Sequence, residues 1–169
     1  MGISIQVSGA ALIQVGTGVN GAMEILGYTR DGVSIRYDGH FLDVPTDDAG
    51  GEAGPPADIQ HLGETAMITL EMTKFDSAVA GRLAARIRNT VAGAFNSPGT
   101  LLLSSSGAYS TRVLVYPIDT NQSVNFPTCI IREPIEINKG TKYSQLRFEA
   151  TAYSAYSGPL ANSNTTGHA

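Results

Sequence analysis

Gly16-Thr17-Gly18-Val19-Asn20-Gly21 has the G-x-G-x-x-G spacing of a dinucleotide-binding turn, follows the apolar run Leu12-Ile13-Gln14-Val15, and has Asp38 where a ribose-binding acid belongs. That chemistry needs the third glycine to open a helix whose N-terminus meets a pyrophosphate. Gly27 follows Gly21 too closely for more than about one helical turn, and no alternating strand–helix units come after it. The motif therefore reads as a glycine-rich hairpin. Asp38, His40, Asp47 and Asp58 could supply oxygen and nitrogen ligands to a cation, but they lack the regular spacing of a calcium loop and read as a solvated acidic segment. The three histidines, His40, His61 and His168, share no helical i, i+4 spacing. Ser104-Ser105-Ser106-Gly107 lacks the glycine before the serine that a nucleophile elbow needs. Cys129 sits in an apolar β-type run, where a buried inert thiol is expected. Arg82, Arg86 and Arg88 form a small basic face, either solvated or paired with an acidic neighbour. No catalytic constellation, metal site or cofactor site is expected.

The elements that position these residues are mainly strands. Val33, Ile35 and Tyr37 alternate with Ser34 and Arg36, between turn signals at Asp31-Gly32 and Asp38-Gly39. Ala66, Ile68, Leu70 and Met72 alternate with Met67, Thr69, Glu71 and Thr73. Arg112 to Tyr116, Cys129 to Ile137 (interrupted by Pro134, hence an edge or bulge) and Leu146 to Tyr153 complete the set. One helix is expected, from the row Phe75, Val79, Leu83 and Ile87, with Thr73 and Asp76 as its capping box. The segment from Asp38 to Gly63 reads as a long loop, and Ser157 to Ala169 as a flexible tail.

With 169 residues the chain suits a single domain, 1–169, large enough to bury a core. Strands, one helix, then more strands exclude a parallel α/β sheet and predict a mainly β fold, a β-sandwich or barrel with a single packed α-helix. Charged residues make up only 15%, which favours a surface shared with neighbours. The net charge of −4 argues against a generic nucleic-acid binder. No apolar run reaches the ~20 residues of a membrane span, and the lone cysteine and the absence of a signal-like opening point to folding in a cytoplasm.

Leu26-Gly27-Tyr28-Thr29-Arg30-Asp31-Gly32-Val33-Ser34-Ile35, the acidic segment Asp43-Val44-Pro45-Thr46-Asp47-Asp48-Ala49-Gly50, and Leu62 to Leu70 lead into the helix from Phe75. Together these resemble tail tube proteins of tailed bacteriophages and phage-like particles, over roughly Gly16 to Asn89, with Gln145 to Tyr153 consistent as a last strand. The resemblance implies a structural virion protein, made in the host cytoplasm, with no enzymatic activity. It implies hexameric rings in which strands of each subunit complete a continuous β-barrel, stacked into a tube that conducts DNA without binding it specifically. Implied partners are further copies of the chain, a tape measure protein, baseplate or initiator and terminator proteins, and a sheath protein where the tail is contractile. On that reading Asp43, Asp47, Asp48, Glu52, Arg82 and Arg86 are candidate inter-subunit contacts, and Glu71, Asp119 and Glu149 are candidate lumen acids. Alternatives are a tail terminator or distal tail ring protein, or a β-sandwich module binding a ligand such as carbohydrate. The chain has no Trp for sugar stacking, though Tyr143, Tyr153 and Tyr156 cluster near its end.

Overall fold

The computed structural model describes residues 4–7, 10–17, 22–47, 50–87, 90–91, 94–95, 110–117, 123–132, 136–140, 144–154 and 160–164. Its strands are β1 (Ser4–Val7), β2 (Ala11–Thr17), β3 (Met23–Val44), β4 (Asp58–Phe75), β5 (Thr90–Val91), β6 (Ala94–Phe95), β7 (Thr111–Pro117), β8 (Ser123–Ile130), β9 (Glu136–Lys139), β10 (Ser144–Tyr153) and β11 (Asn162–Asn164). Among the described residues there is one α-helix, α1 (Ser77–Ile87). The main sheet runs β11-β8-β7-β2-β3-β4-β10-β9, and pairing of Thr151 with Ile130 and Ala152 with Cys129 joins β10 back to β8. The result is a closed six-stranded antiparallel barrel of β2, β3, β4, β10, β8 and β7.

Alternation fills this barrel. Ile68, Leu70 and Met72 of β4 meet Val33 and Ile35 of β3 and Leu146, Phe148 and Ala150 of β10, all buried, while the residues between them point outward. Phe126 and Val113 close the core from β8 and β7. Pro127, which has no N–H to give, lies where the β7–β8 register slips between Thr111 and Val113. Residues 18–21 of the G-x-G-x-x-G segment lie outside the described residues; the strands that flank them pair antiparallel, β2 with β3, Leu12 opposite Tyr28 and Gly16 opposite Met23. Gly27 is required by crowding: a Cβ there would stand 2.2 Å from the Lys74 carbonyl oxygen.

The helix caps differently from the expected capping box. Thr73 lies within β4, and Asp76 is itself the N-cap, its Oδ1 accepting the N–H groups of Ala78 at 2.8 Å and Val79 at 3.1 Å. The Asp76 N–H donates to the Leu26 carbonyl at 2.8 Å, fixing the helix start to β3. Val79, Ala80 and Leu83 are buried against the barrel.

Three further expectations change. Neither Asp-Gly pair is a turn: Asp31-Gly32 lies in an irregularity of β3, between the pairs Thr29–Met72 and Val33–Leu70, and Asp38-Gly39 pairs with Thr65 and Glu64. Glycine tolerates the positive φ of 96° at position 32, so the strand absorbs the extra residues without ending. The segment 38–63 is only partly loop, because 38–44 pairs with 58–65 and the connection proper is 45–57. The tail is not wholly free either: Leu160 is buried and β11 pairs with β8, Asn162 opposite Asn125. Cys129 to Ile137 divides between the end of β8 and the edge strand β9, with Pro134 outside the described residues.

Candidate assembly interface

Two surfaces follow from this topology. The first is a ribbon. On its outer side β3 is paired by β1 only as far as Arg36, and β10 leaves β4 at Thr65. From Asp38 to Val44 and from Asp58 to Glu64 the two strands therefore have, among the described residues, only each other as partners, and they run roughly 20 Å at ~3.3 Å per residue. A two-stranded ribbon has no second layer to bury its apolar side chains. Phe41 (62% exposed), Leu62 (57%), Ile59 (57%), Leu42 and Val44 accordingly stand in solvent, where clustered large apolar residues mark contact surfaces. The Phe41 and His61 rings meet in a tilted contact, 5.3 Å between centroids with their planes at 54°, His61 Nε2 lies 3.8 Å from Glu64 Oε1, and His40 Nε2 lies 3.0 Å from Thr65 Oγ1. At the ribbon's base Tyr37 leans on Phe126, and burial, then the Glu64 carboxylate, pushes its phenol pKa up.

The tip is held by backbone bonds, Ala57 N–H to the Val44 carbonyl at 2.9 Å and Gly51 N–H to the Thr46 carbonyl at 3.0 Å. Asp43, Asp47 and Glu52 are all exposed on this ribbon and its tip, so the structure brings these three expected contacts together. Asp48 lies outside the described residues. Arg82 stands elsewhere, on α1, with its Nη2 2.7 Å from Glu24 Oε1 of β3. Arg86 is on the same helix, its side chain outside the description.

The second surface is the outward face of β3, β4 and β10. Register places Ser34, Thr69 and Glu149 in one row, Arg36, Met67 and Thr151 in the next, and Glu71 opposite Arg147. Glu71 and Glu149, two of the expected lumen acids, thus share one outward face; Asp119 lies outside the described residues. The face is mixed in charge. Glu71 accepts from Gln145 Nε2 at 3.3 Å, Asp38 accepts from Arg36 Nε at 2.9 Å, and Arg147 is exposed beside a depression of about 330 Å³ lined also by Asp31, Ser34 and Thr69. Below the ribbon this sheet reads β1-β3-β4-β10-β9, and among the described strands β1 and β9 present unpaired outer edges.

The remaining expected chemistry is placed as follows. Cys129 is buried, its Sγ 3.7 Å from the Phe126 carbonyl, and burial pushes its thiol pKa far up, which holds it protonated. Among the described residues no group of three His, Cys, Asp or Glu side chains could hold a metal ion. Ser104 to Ser106, His168, Tyr143 and Tyr156 lie outside the description. Tyr153 is half-buried and lies against Arg132, whose Nη2 donates to the phenol and whose guanidinium lies 5.3 Å from the ring centre. No described helix is long and apolar enough to cross a membrane. The candidate contact residues that sequence reasoning missed are the exposed apolar side chains of the ribbon. Their signal was present as Phe41-Leu42-Asp43-Val44 and Ile59 to Leu62, apolar residues inside an apparent loop. No family model matches the chain, and no curated protein matches it.

Proposed function

We propose that the chain is a tail tube subunit of a tailed phage or phage-like particle, forming hexameric rings that stack around a channel for DNA and a tape measure protein. The observation that carries this reading is the β1-β3-β4-β10-β9 sheet, which joins two edges unpaired among the described strands to a polar outward face. Open edges template further pairing, and closing them edge to edge around a ring removes them without aggregation. The face that would then turn inward carries Glu71 and Glu149 with hydroxyls of Ser34, Thr69 and Thr151. Carboxylates repel phosphates at short range and hydroxyls bind them weakly, so such a wall lets a polyanion slide. Arg36 and Arg147 on the same face balance the two carboxylates, so the wall offers a polyanion no net attraction. The ribbon, extending past the barrel with apolar side chains in solvent, supports repeated stacking over the single layer of a terminator or distal ring protein. The chain expressed alone, viewed by negative-stain electron microscopy with its mass taken by light scattering, should give hollow rings or tubes. A monomer that persists at high concentration and in the presence of an assembly initiator would refute the reading.

A further inference from the structure

The chain contains two Asp-Gly pairs, Asp31-Gly32 and Asp38-Gly39, and β3 carries both. In an Asp-Gly pair the backbone nitrogen of the glycine can attack the aspartate's own carboxyl carbon, because no Cβ on the glycine blocks the approach. The attack needs the side chain to swing over the next peptide and that peptide to turn towards it. Residues held in a ladder must first open locally to do so.

The strand holds the two pairs differently. Around Asp38 the register is continuous, Tyr37 opposite Ala66, Asp38 opposite Thr65, Gly39 opposite Glu64 and His40 opposite Gly63. The Asp38 side chain is 34% exposed and its Oδ1 accepts Arg36 Nε at 2.9 Å. The Phe41 ring covers Gly39, where a Cβ would stand 2.9 Å from Phe41 Cε2. Around Asp31 the pairing jumps from Thr29–Met72 to Val33–Leu70, so Arg30, Asp31 and Gly32 stand against Glu71 alone. On the other side β2 pairs with β3 only up to Tyr28 and β1 only from Val33. The Asp31 side chain is 87% exposed, and its contact with Arg30 Nε, at 3.6 Å between two exposed groups, holds it weakly.

We infer that Asp31-Gly32 is a modification site, where the backbone isomerises through a succinimide without an enzyme, and that Asp38-Gly39 is protected from the same reaction. The Gly32 nitrogen bonds to Asp31 Cγ, and the hydroxyl of the carboxylic acid departs with the nitrogen's proton as water. A second water then opens the ring. Addition at Cγ breaks the new bond and restores aspartate. Addition at the main-chain carbonyl carbon breaks the original peptide bond, routes the backbone through Cβ and Cγ, and leaves a free carboxylate on Cα. The main chain thereby gains one carbon between residues 31 and 32. β3 already carries surplus residues at that point, so the pairs Thr29–Met72 and Val33–Leu70 need not move. The change falls on the rim of the depression that Asp31 shares with Ser34, Thr69, Glu71 and Arg147. On the tube reading this rim belongs to the channel wall, but the chemistry does not depend on that reading.

The test ages the full chain for weeks at neutral pH in water enriched in heavy oxygen, since each ring opening installs one oxygen from solvent. Trypsin in ordinary water then cuts after Arg30, Arg36 and Lys74, which puts Asp31 on peptide 31–36 and Asp38 on peptide 37–74. Asn20-Gly21, which reacts by a related route and lies outside the described residues, stays on peptide 1–30. Fragment ions locate the heavy oxygen, and an isoaspartyl methyltransferase counts the isomerised product. Asp31 should be labelled at least about tenfold faster than Asp38, the difference set by local opening of the ladder. In guanidinium chloride, which removes the ladder, the two sites should react at similar rates. Asp31→Glu, whose side chain would have to close a larger and less favoured ring, should clear the label from peptide 31–36. Labelling of Asp38 in the folded chain as fast as Asp31 overturns the inference. So does an unlabelled Asp31 in folded protein whose denatured form is labelled at both sites.

Discussion

The rings of Phe41 and His61 touch across the ribbon at a tilt of 54°, their centroids 5.3 Å apart, although both side chains lie outside the barrel core. Removing Phe41 therefore costs the folded barrel little and the proposed contact much. Phe41→Ala combined with Leu62→Ser should leave the thermal midpoint within a few degrees of the parent, because neither side chain is in the core. The same pair should abolish assembly in light scattering. A variant that assembles like the parent would remove the ribbon from the interface.

Gly27 has the opposite sensitivity. Its Cβ would meet the Lys74 carbonyl at 2.2 Å and the Phe75 Cα at 2.8 Å, both backbone atoms that cannot swing aside. Gly27→Ala should lower unfolding free energy by roughly 1–3 kcal/mol, as overpacking does. Equilibrium denaturation would show this as a reduced midpoint at unchanged slope.

Asp76 and Arg82 separate two ways of fixing α1. Asp76→Ala removes the acceptor for two helix amides and should cost ~1 kcal/mol. Arg82→Ala breaks an ion pair whose partners are both about half exposed, and should cost less than ~1 kcal/mol. If that pair is purely internal, Arg82→Ala also assembles normally. Loss of assembly with unchanged stability would instead return Arg82 to the interface.

Much of the barrel was legible in the sequence, because burial on one face writes period two into the chain. Ala66 to Met72 and Leu146 to Ala152 show it, and both are central strands. The ribbon was illegible for the converse reason. Neither of its faces is covered, so residues 38–44 and 58–63 keep strand geometry with no apolar alternation to announce it. Asp31-Gly32 imitates a turn because a strand irregularity and a turn both call for a glycine at positive φ. Of the candidate contacts, Asp43, Asp47 and Glu52 fall together since they share one ribbon, while Arg82 stands on α1 beside Glu24, 58 positions away, a pairing no local pattern reveals.

Cys129 sets an alkaline limit. Burial raises its pKa in the folded chain above the ordinary thiol value, so above about pH 8.5 the unfolded chain loses a proton that the folded chain keeps. Stability is thus complete below that pH and declines as pH rises beyond it. Cys129→Ala should flatten this part of the pH–stability curve, at a cost from the lost packing, and native protein should react with thiol reagents only on unfolding. Rapid labelling of the folded protein at pH 8 would contradict the burial.

In the proposed ring the outward face of β3, β4 and β10 lines the hole. Electron cryomicroscopy of the assembled chain, at a resolution that traces strands, tests it most directly. The account requires six copies per ring, β1 of one copy beside β9 of its neighbour, and Glu71, Thr69 and Glu149 on the inner wall. A ring in which these three side chains face the exterior, or a closed two-fold dimer in place of a ring, would contradict it.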